Sequence, residues 1–142
     1  LGLRAAALLV HSGAQHVVLA SRSGRVTRDG QGLDAQLQSL GMHAMVVACD
    51  SADACNIHHV FGVAPPVGVL HAAGVYDKGL AIDLDAGKLA WMYNAKSVGA
   101  WHVHYPMSGT PLSTRMLFSS VSAGLGSFGQ ASYGAANSCL GP

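Results

Sequence analysis

Short runs of β-branched and apolar residues alternate along this chain with stretches whose apolar residues recur at helical spacing, and few folds accept that alternation. His16-Val17-Val18-Leu19-Ala20-Ser21 reads as a buried strand, and so do 43–49, closed by Asp50, 67–71, entered through the turn at Pro65-Pro66, and 115–120. Helices are predicted over 3–12, 33–40, 51–60, 85–104 and 131–140. Gly13 and Gly41 are natural stops for the first two. Ser51 is a candidate N-cap for the third, with Asp53 in its first turn. Loops are expected at 23–32, rich in Gly, Arg and Asp, at 106–113, and at 121–130, rich in small residues. Strands that alternate with helices and are nearly continuously apolar predict a parallel sheet buried on both faces. The fold class is therefore α/β, a Rossmann-like doubly wound parallel sheet.

A nucleotide fold of this kind needs a first strand and a glycine-rich turn ahead of its first helix. The chain opens at Leu1-Gly2, already at a helix start, and stops at Gly141-Pro142, just after the last helix. Residues 1–142 are thus expected to be a partial domain truncated at both ends, lacking the first strand with its turn and the C-terminal strands. The first strand is normally central, between 16–21 and 67–71, so strand pairing is expected to break along that line.

Composition narrows the function. At 142 residues the chain has room for one domain with a real core, and 50% hydrophobic against 11% charged residues excludes a disordered tail. A net charge of +1 leaves no electrostatic footprint for nucleic acid. No apolar run approaches the roughly 20 residues that span a bilayer, so no membrane partner is expected. The apolar start, Ala5 to Val10, runs straight into the first strand pattern and does not read as a signal peptide. Cys49, Cys55 and Cys139 form an odd, scattered set that suits reduced thiols in the cytoplasm.

Four places carry candidate chemistry. Lys96 falls four after Met92 and four before Ala100, inside the apolar stripe Leu89, Met92, Ala100, Val103 of the long helix. It is either a lysine snorkelling at the helix edge or a core-facing ammonium that needs partners. Ser119-Ser120 closes a predicted strand, at the end where open α/β sheets bind ligands; two serines satisfying local backbone groups are the plainer reading. Tyr133 and Asn137 are four apart and share a helix face; the phenol is either a helix-cap tyrosine beside a polar amide or, given a neighbouring cation, a proton donor to a developing alkoxide. Ser21-Arg22-Ser23 stands at the end of the strand predicted at 16–21, where such folds read the adenosine ribose. No Asp or Glu stands at 20–23, so Arg22 favours the 2′-phosphate of NADP unless it is an ordinary solvated loop arginine.

Taken in order and spacing, Asp50, His71-Ala72-Ala73-Gly74, Lys96, Leu117-Phe118-Ser119-Ser120 and Tyr133-Gly134-Ala135-Ala136-Asn137 resemble the short-chain dehydrogenase/reductase superfamily. Within it the chain looks like the ketoreductase domains of polyketide synthases, with animal-type fatty acid synthase ketoreductases as close relatives. Ser120 and Tyr133 are thirteen apart, the spacing of that family's serine and tyrosine. Ordinary short-chain dehydrogenases read Tyr-x-x-x-Lys, with an asparagine on the earlier helix. Here Asn137 occupies the lysine's place and Lys96 the asparagine's, as in the synthase ketoreductases, and the phrase Asn94-Ala95-Lys96-Ser97-Val98-Gly99-Ala100-Trp101 agrees.

The resemblance implies a catalytic set of Lys96, Ser120, Tyr133 and Asn137. Tyr133 would protonate the carbonyl oxygen as NADPH delivers hydride, Ser120 would hydrogen-bond that oxygen, and Asn137 would order the proton relay. Lys96 would bind the nicotinamide ribose and favour the Tyr133 phenolate. The implied NADP(H)-binding residues are Gly2, Ser21, Arg22, Asp50, Ala72, Ala73, Gly74, Lys96 and Tyr133. The implied substrate is a β-ketoacyl thioester on an acyl carrier protein, and the implied partners are that carrier and neighbouring synthase domains. Where one product class has Leu-Asp-Asp this chain has Tyr76-Asp77-Lys78, and Leu125 stands where the opposing class has tryptophan. Of the glycine-rich turn only Gly2 is present, so this polypeptide by itself is expected to be inactive. A catalytically silent structural half of a synthase would lack the four residues. A stand-alone dehydrogenase acting on another carbonyl would keep lysine and asparagine in the usual order.

Two motifs are set aside. Gly124-Leu125-Gly126-Ser127-Phe128-Gly129 matches a dinucleotide fingerprint, yet no acid can follow about 20 positions on; it is read as the loop between the serine and the tyrosine. Cys55 with His58 and His59 does not make a four-ligand zinc site, and no metal is expected.

Overall fold

The computed structural model describes residues 1–25 and 32–141, which fall into two compact units, Leu1–Asp50 and Ser51–Pro142. Most of the predicted loop at 23–32 lies outside the described residues.

The first unit runs α1 (Gly2–His11), β1 (Val17–Ser21), α2 (Leu33–Ser39), a 3-10 turn (Gly41–His43) and β2 (Ala44–Ala48). The two strands are parallel, in register from Val17 opposite Ala44 to Ser21 opposite Ala48. Ala6, Leu40 and Cys49 are its buried apolar residues. Gly24 sits at φ +62°, and a Cβ there would stand 3.0 Å from the Ala48 backbone nitrogen. Glycine is required on both counts. It closes a turn, through its N–H on the Ser21 carbonyl at 3.1 Å, against the backbone of β2.

The second unit runs α3 (Ala54–Val63), β3 (Gly68–His71), a 3-10 turn (Ala81–Asp83), α4 (Ala86–Tyr93), a π turn (Asn94–Val98), α5 (Gly99–His104), a 3-10 turn (Tyr105–Met107), β4 (Thr114–Leu117), α6 (Ser122–Leu125) and α7 (Ala131–Ser138). β3 and β4 are parallel, from Gly68 opposite Thr114 to His71 opposite Leu117. Backbone bonds extend the ladder at both ends, Ser113 N–H to Val67 O at 2.8 Å and Phe118 N–H to His71 O at 3.0 Å. The apolar core is Ile57, Met92, Ala100, Val103, Met107 and Ala136, and it shares its interior with His71, Lys96, Ser122, Ser132 and Asn137.

The alternation of helix and parallel strand is the predicted α/β fold; among the described residues β1 pairs with β2 and β3 with β4. Several expectations are corrected. The strands are not buried on both faces: β1 alternates half-buried with exposed residues, and Thr114 to Met116 of β4 are exposed. In a two-stranded ladder, as each is among the described residues, each strand is an edge. Asp53, not Ser51, caps α3, because its carboxylate accepts the N–H groups of Cys55 and Asn56 at 2.8 and 3.3 Å. The helix predicted at 85–104 is interrupted by the π turn, and Leu89 leaves its stripe as an exposed residue. The strand predicted to end at Ser120 ends at Leu117, and the loop at 121–130 contains α6. Among the described residues, no helix is long and apolar enough to cross a membrane.

Candidate active site

Asp85 starts the helix that carries Lys96, its carboxylate accepting the Lys88 N–H at 2.8 Å. Met92, Lys96, Ala100 and Val103 then face inward. Lys96 is only 4% exposed, so it does not snorkel. Its ammonium donates to the carbonyl oxygen of Phe118 at 2.9 Å. A Cβ on Gly74 would stand 3.1 Å from Lys96 Cε and 3.3 Å from Nζ, so a glycine just past β3 leaves the ammonium its place. Burial away from water pushes the lysine's pKa down. The π turn widens the helix at this lysine, a deviation concentrated at functional sites.

His71, the last residue of β3, lies behind the lysine. Its Nε2–H donates to the Lys96 carbonyl at 3.3 Å. Burial lowers the imidazole's pKa, opposed by hydrogen bonds to the carbonyls of Lys96 and Ala95 and reinforced by the Lys96 charge. Gly99 makes this packing possible: a Cβ there would meet Ser51 Oγ at 2.6 Å and both the Asn94 carbonyl and His71 Cε1 at 3.1 Å.

Ser119 and Ser120 follow β4. The Ser119 hydroxyl donates to the Asn137 carbonyl at 3.0 Å. The half-buried Ser120 hydroxyl accepts the Ser122 N–H at 3.2 Å, a local turn that leaves the hydroxyl proton out of that bond. Gly134 lets α7 lie close to α6, since a Cβ there would stand 3.0 Å from the Ser122 carbonyl. On α7, Tyr133 is half-buried and Asn137 is fully buried. Asn137 Nδ2 donates to the Tyr133 carbonyl at 2.8 Å, while its Oδ1 has no partner among the described residues. The ring of Tyr76 meets that of Tyr133 edge-on at 5.9 Å.

Lys96, Ser120, Tyr133 and Asn137 are therefore linked in one part of the second unit, through the stretch Phe118 to Ser120 that leaves β4. Ala72, Ala73 and Gly74 continue the chain past the C-terminal end of β3, and Gly74 lies beside the lysine. The other expected cofactor residues belong to the first unit. Ser21 ends β1 with its Oγ buried and without a partner among the described residues. Arg22 is exposed in the turn that Gly24 closes, Asp50 follows β2, and Gly2 is the first residue of α1. Sequence reasoning did not pick out the Phe118 carbonyl, Ser122, Gln130 or the ring of Tyr76 as parts of the site. Between α6 and α7 lies a surface depression of about 260 Å³ that Ser122, Ser127, Gln130, Gly134 and Ser138 help to line. Neither Lys96 nor Tyr133 lines it.

Parallel strands whose C-terminal ends lead into an ammonium, hydroxyls and a close-approach glycine define an α/β protein of the Rossmann-like class, with its candidate site at the end of the sheet where such folds bind ligands. It belongs to the ketoreductase domain family: the family's model, the KR domain, matches residues 1–141. The chain is 39% identical over 144 residues to the phenolphthiocerol synthesis polyketide synthase type I Pks15/1 of Mycobacterium bovis, covering 98% of this chain and 7% of that one. It is 40% identical over 132 residues to polyketide synthase GfsA of Streptomyces halstedii, covering 90% of this chain and 2% of that one. A solved A1-type ketoreductase matches with a TM-score of 0.84 and 37% identity, over 98% of this chain and 30% of that one. The chain thus spans less than a tenth of the curated relatives it matches and under a third of the solved domain.

Proposed function

We propose that this chain carries the reaction centre of a domain that reduces a β-ketoacyl thioester to the β-hydroxyacyl thioester with NADPH, the thioester being held by an acyl carrier protein of the same synthase. The observation that carries the reading is the buried Lys96 ammonium, held by the Phe118 carbonyl beside Gly74. Ordinary packing does not retain a charge there. The residues fit a nicotinamide cofactor: Gly74 lets the ammonium lie close against the backbone past β3, and Phe118 O is the one hydrogen-bond acceptor for Lys96 among the described residues, leaving the ammonium further donors for a ribose. NADPH supplies the hydride when bound. Lys96 would hold the nicotinamide ribose, and Ala72, Ala73 and Gly74 would let the cofactor pass closely.

As the carbonyl carbon gains hydride, its oxygen becomes an alkoxide, which takes the Tyr133 proton. Ser120 donates its free hydroxyl proton to the same oxygen, and charge-stabilising donors of this kind contribute about 10²- to 10³-fold. Asn137 fixes the α7 backbone at Tyr133 and presents an open acceptor to the proton path. In the first unit, Ser21 and Arg22 would take the 2′-phosphate, Asp50 the adenine amine, and Gly2 the pyrophosphate.

The test uses the complete domain with NADPH and a β-ketoacyl thioester. Tyr133→Phe is expected to abolish reduction while NADPH still binds, seen by its fluorescence. Arg22→Glu is expected to raise KM for NADPH far more than KM for the thioester. Undiminished turnover in Tyr133→Phe would remove the tyrosine from the reaction.

A further inference from the structure

Beyond the four site residues, one set of contacts links the two hydroxyls that would face the substrate carbonyl. The Tyr76 hydroxyl accepts from Gln130 Nε2 at 2.8 Å. Gln130 Oε1 accepts the Ser122 hydroxyl at 3.1 Å. The Ser122 N–H in turn holds the Ser120 hydroxyl at 3.2 Å. At the other end, the Tyr76 ring packs edge-on against Tyr133, with centroids 5.9 Å apart and planes at 72°. The backbone repeats the tie, since Gly79 N–H donates to the Gly129 carbonyl at 3.0 Å. Both ends of the Gln130 amide are thereby used, one as donor and one as acceptor, which fixes its orientation.

Core packing does not explain this arrangement. Tyr76 is 56% exposed and Gln130 is half-buried, so water could serve the same polar groups and the net stability of each bond is small. What the contacts supply is geometry, because Ser120 and Tyr133 come from different elements and must meet one oxygen atom. A misplacement of about 1 Å in such a pair can cost on the order of 10²-fold in rate.

We propose that Tyr76 is a positioning residue, its ring setting the Tyr133 ring and its hydroxyl, through Gln130 and Ser122, setting the Ser120 hydroxyl. This rests on the reading of Ser120 and Tyr133 under Proposed function. Tyr76 itself touches neither hydride nor proton.

The test compares wild type, Tyr76→Phe, Gln130→Ala and the double variant in the complete domain, reading kcat and KM for NADPH and for a β-ketoacyl thioester, with thermal unfolding alongside. Tyr76→Phe keeps the ring contact and loses only the hydroxyl. It is expected to lower kcat roughly 3- to 10-fold with both KM values and Tm nearly unchanged. Gln130→Ala should do the same. The double variant should lose no more than the worse single one, since either change breaks the same chain. Tyr76→Leu, which loses the ring as well, should fall further. A Tyr76→Phe domain with wild-type kcat, or single effects that multiply in the double variant, overturns the positioning role while leaving the proposed reaction standing. A wild-type domain that reduces no ketone overturns both.

Discussion

The ammonium of Lys96 and the carbonyl oxygen of Phe118 are 2.9 Å apart, joining the middle of a helix to the backbone just past a strand, two residues before Ser120. A lysine at the centre of an apolar helix face is a cost to folding, and among the described residues it is met by a single backbone acceptor. With the role proposed for Lys96, stability and chemistry pull in opposite directions at this position.

Lys96→Met separates them. The variant keeps the length and the apolar stem and removes the buried charge, so Tm is expected to stay level or rise. Turnover is expected to fall about 10²-fold or more, within the range that acid–base groups contribute. The pH dependence carries the same sign. The folded pKa lies below the unfolded value of 10.5, so unfolding takes up protons and wild-type stability rises as pH climbs toward 10.5. Denaturant melts across alkaline pH should show that rise in wild type and not in Lys96→Met.

His71 gives the acid-side counterpart. Its pKa is held below 6.5, first by burial, so the neutral ring is the folded form. The unfolded chain binds a proton as pH falls through 6.5 and the folded chain resists, so stability is full above 6.5 and declines below it by at most about 1.4 kcal/mol per pH unit. The decline levels off below the folded pKa. Urea midpoints of wild type and His71→Gln should diverge least near pH 5 and most near neutrality. Parallel curves would show that His71 titrates freely.

Gly99→Ala tests the packing behind the lysine. Alanine favours a helix over glycine by about 1 kcal/mol. Its Cβ would nevertheless press on the Asn94 carbonyl and the buried His71 ring, each at 3.1 Å; the Ser51 hydroxyl at 2.6 Å can rotate away, and those two groups cannot. A net loss of about 1–2 kcal/mol is expected, with reduced turnover as His71 shifts against Lys96. Gly62→Ala in α3, where nothing stands within 4 Å of the new Cβ, should instead stabilise by up to about 0.5–1 kcal/mol. Calorimetry on the two variants should give opposite signs.

These contrasts show which parts of the molecule local sequence could reveal. The place of Lys96 in the apolar stripe was legible because Met92, Lys96, Ala100 and Val103 recur at helical spacing, but spacing alone left open whether it snorkels or points inward; the parallel ladders were legible because apolar runs alternate with helical ones. The π turn was not, since it changes backbone bonding without changing residue type. Asp53 outcompeted Ser51 as N-cap because the helix starts two residues later than its polar lead-in suggests. The tie from Tyr76 to Gln130 spans 54 residues, and no local spacing encodes it. Its only sequence trace is a tyrosine in a glycine-flanked turn and an amide three residues before Tyr133.

Asn137 makes the sharpest remaining test of whether buried polarity here serves reaction or folding. The side chain is wholly buried, with Nδ2 on the Tyr133 carbonyl at 2.8 Å and Oδ1 without a partner among the described residues. One satisfied donor contributes about 0.5–1.5 kcal/mol, and one orphaned acceptor costs about 1–3 kcal/mol. Replacing the amide with an apolar side chain of similar volume removes both. Asn137→Leu is therefore expected to unfold within about 1 kcal/mol of wild type, and a loss several times larger would show that the amide holds the fold. If the open Oδ1 belongs to the proton path of Tyr133, the same variant should lose at least about tenfold in kcat with its KM for NADPH little changed. An Asn137→Leu domain that is unstable yet fully active would assign the amide to folding alone.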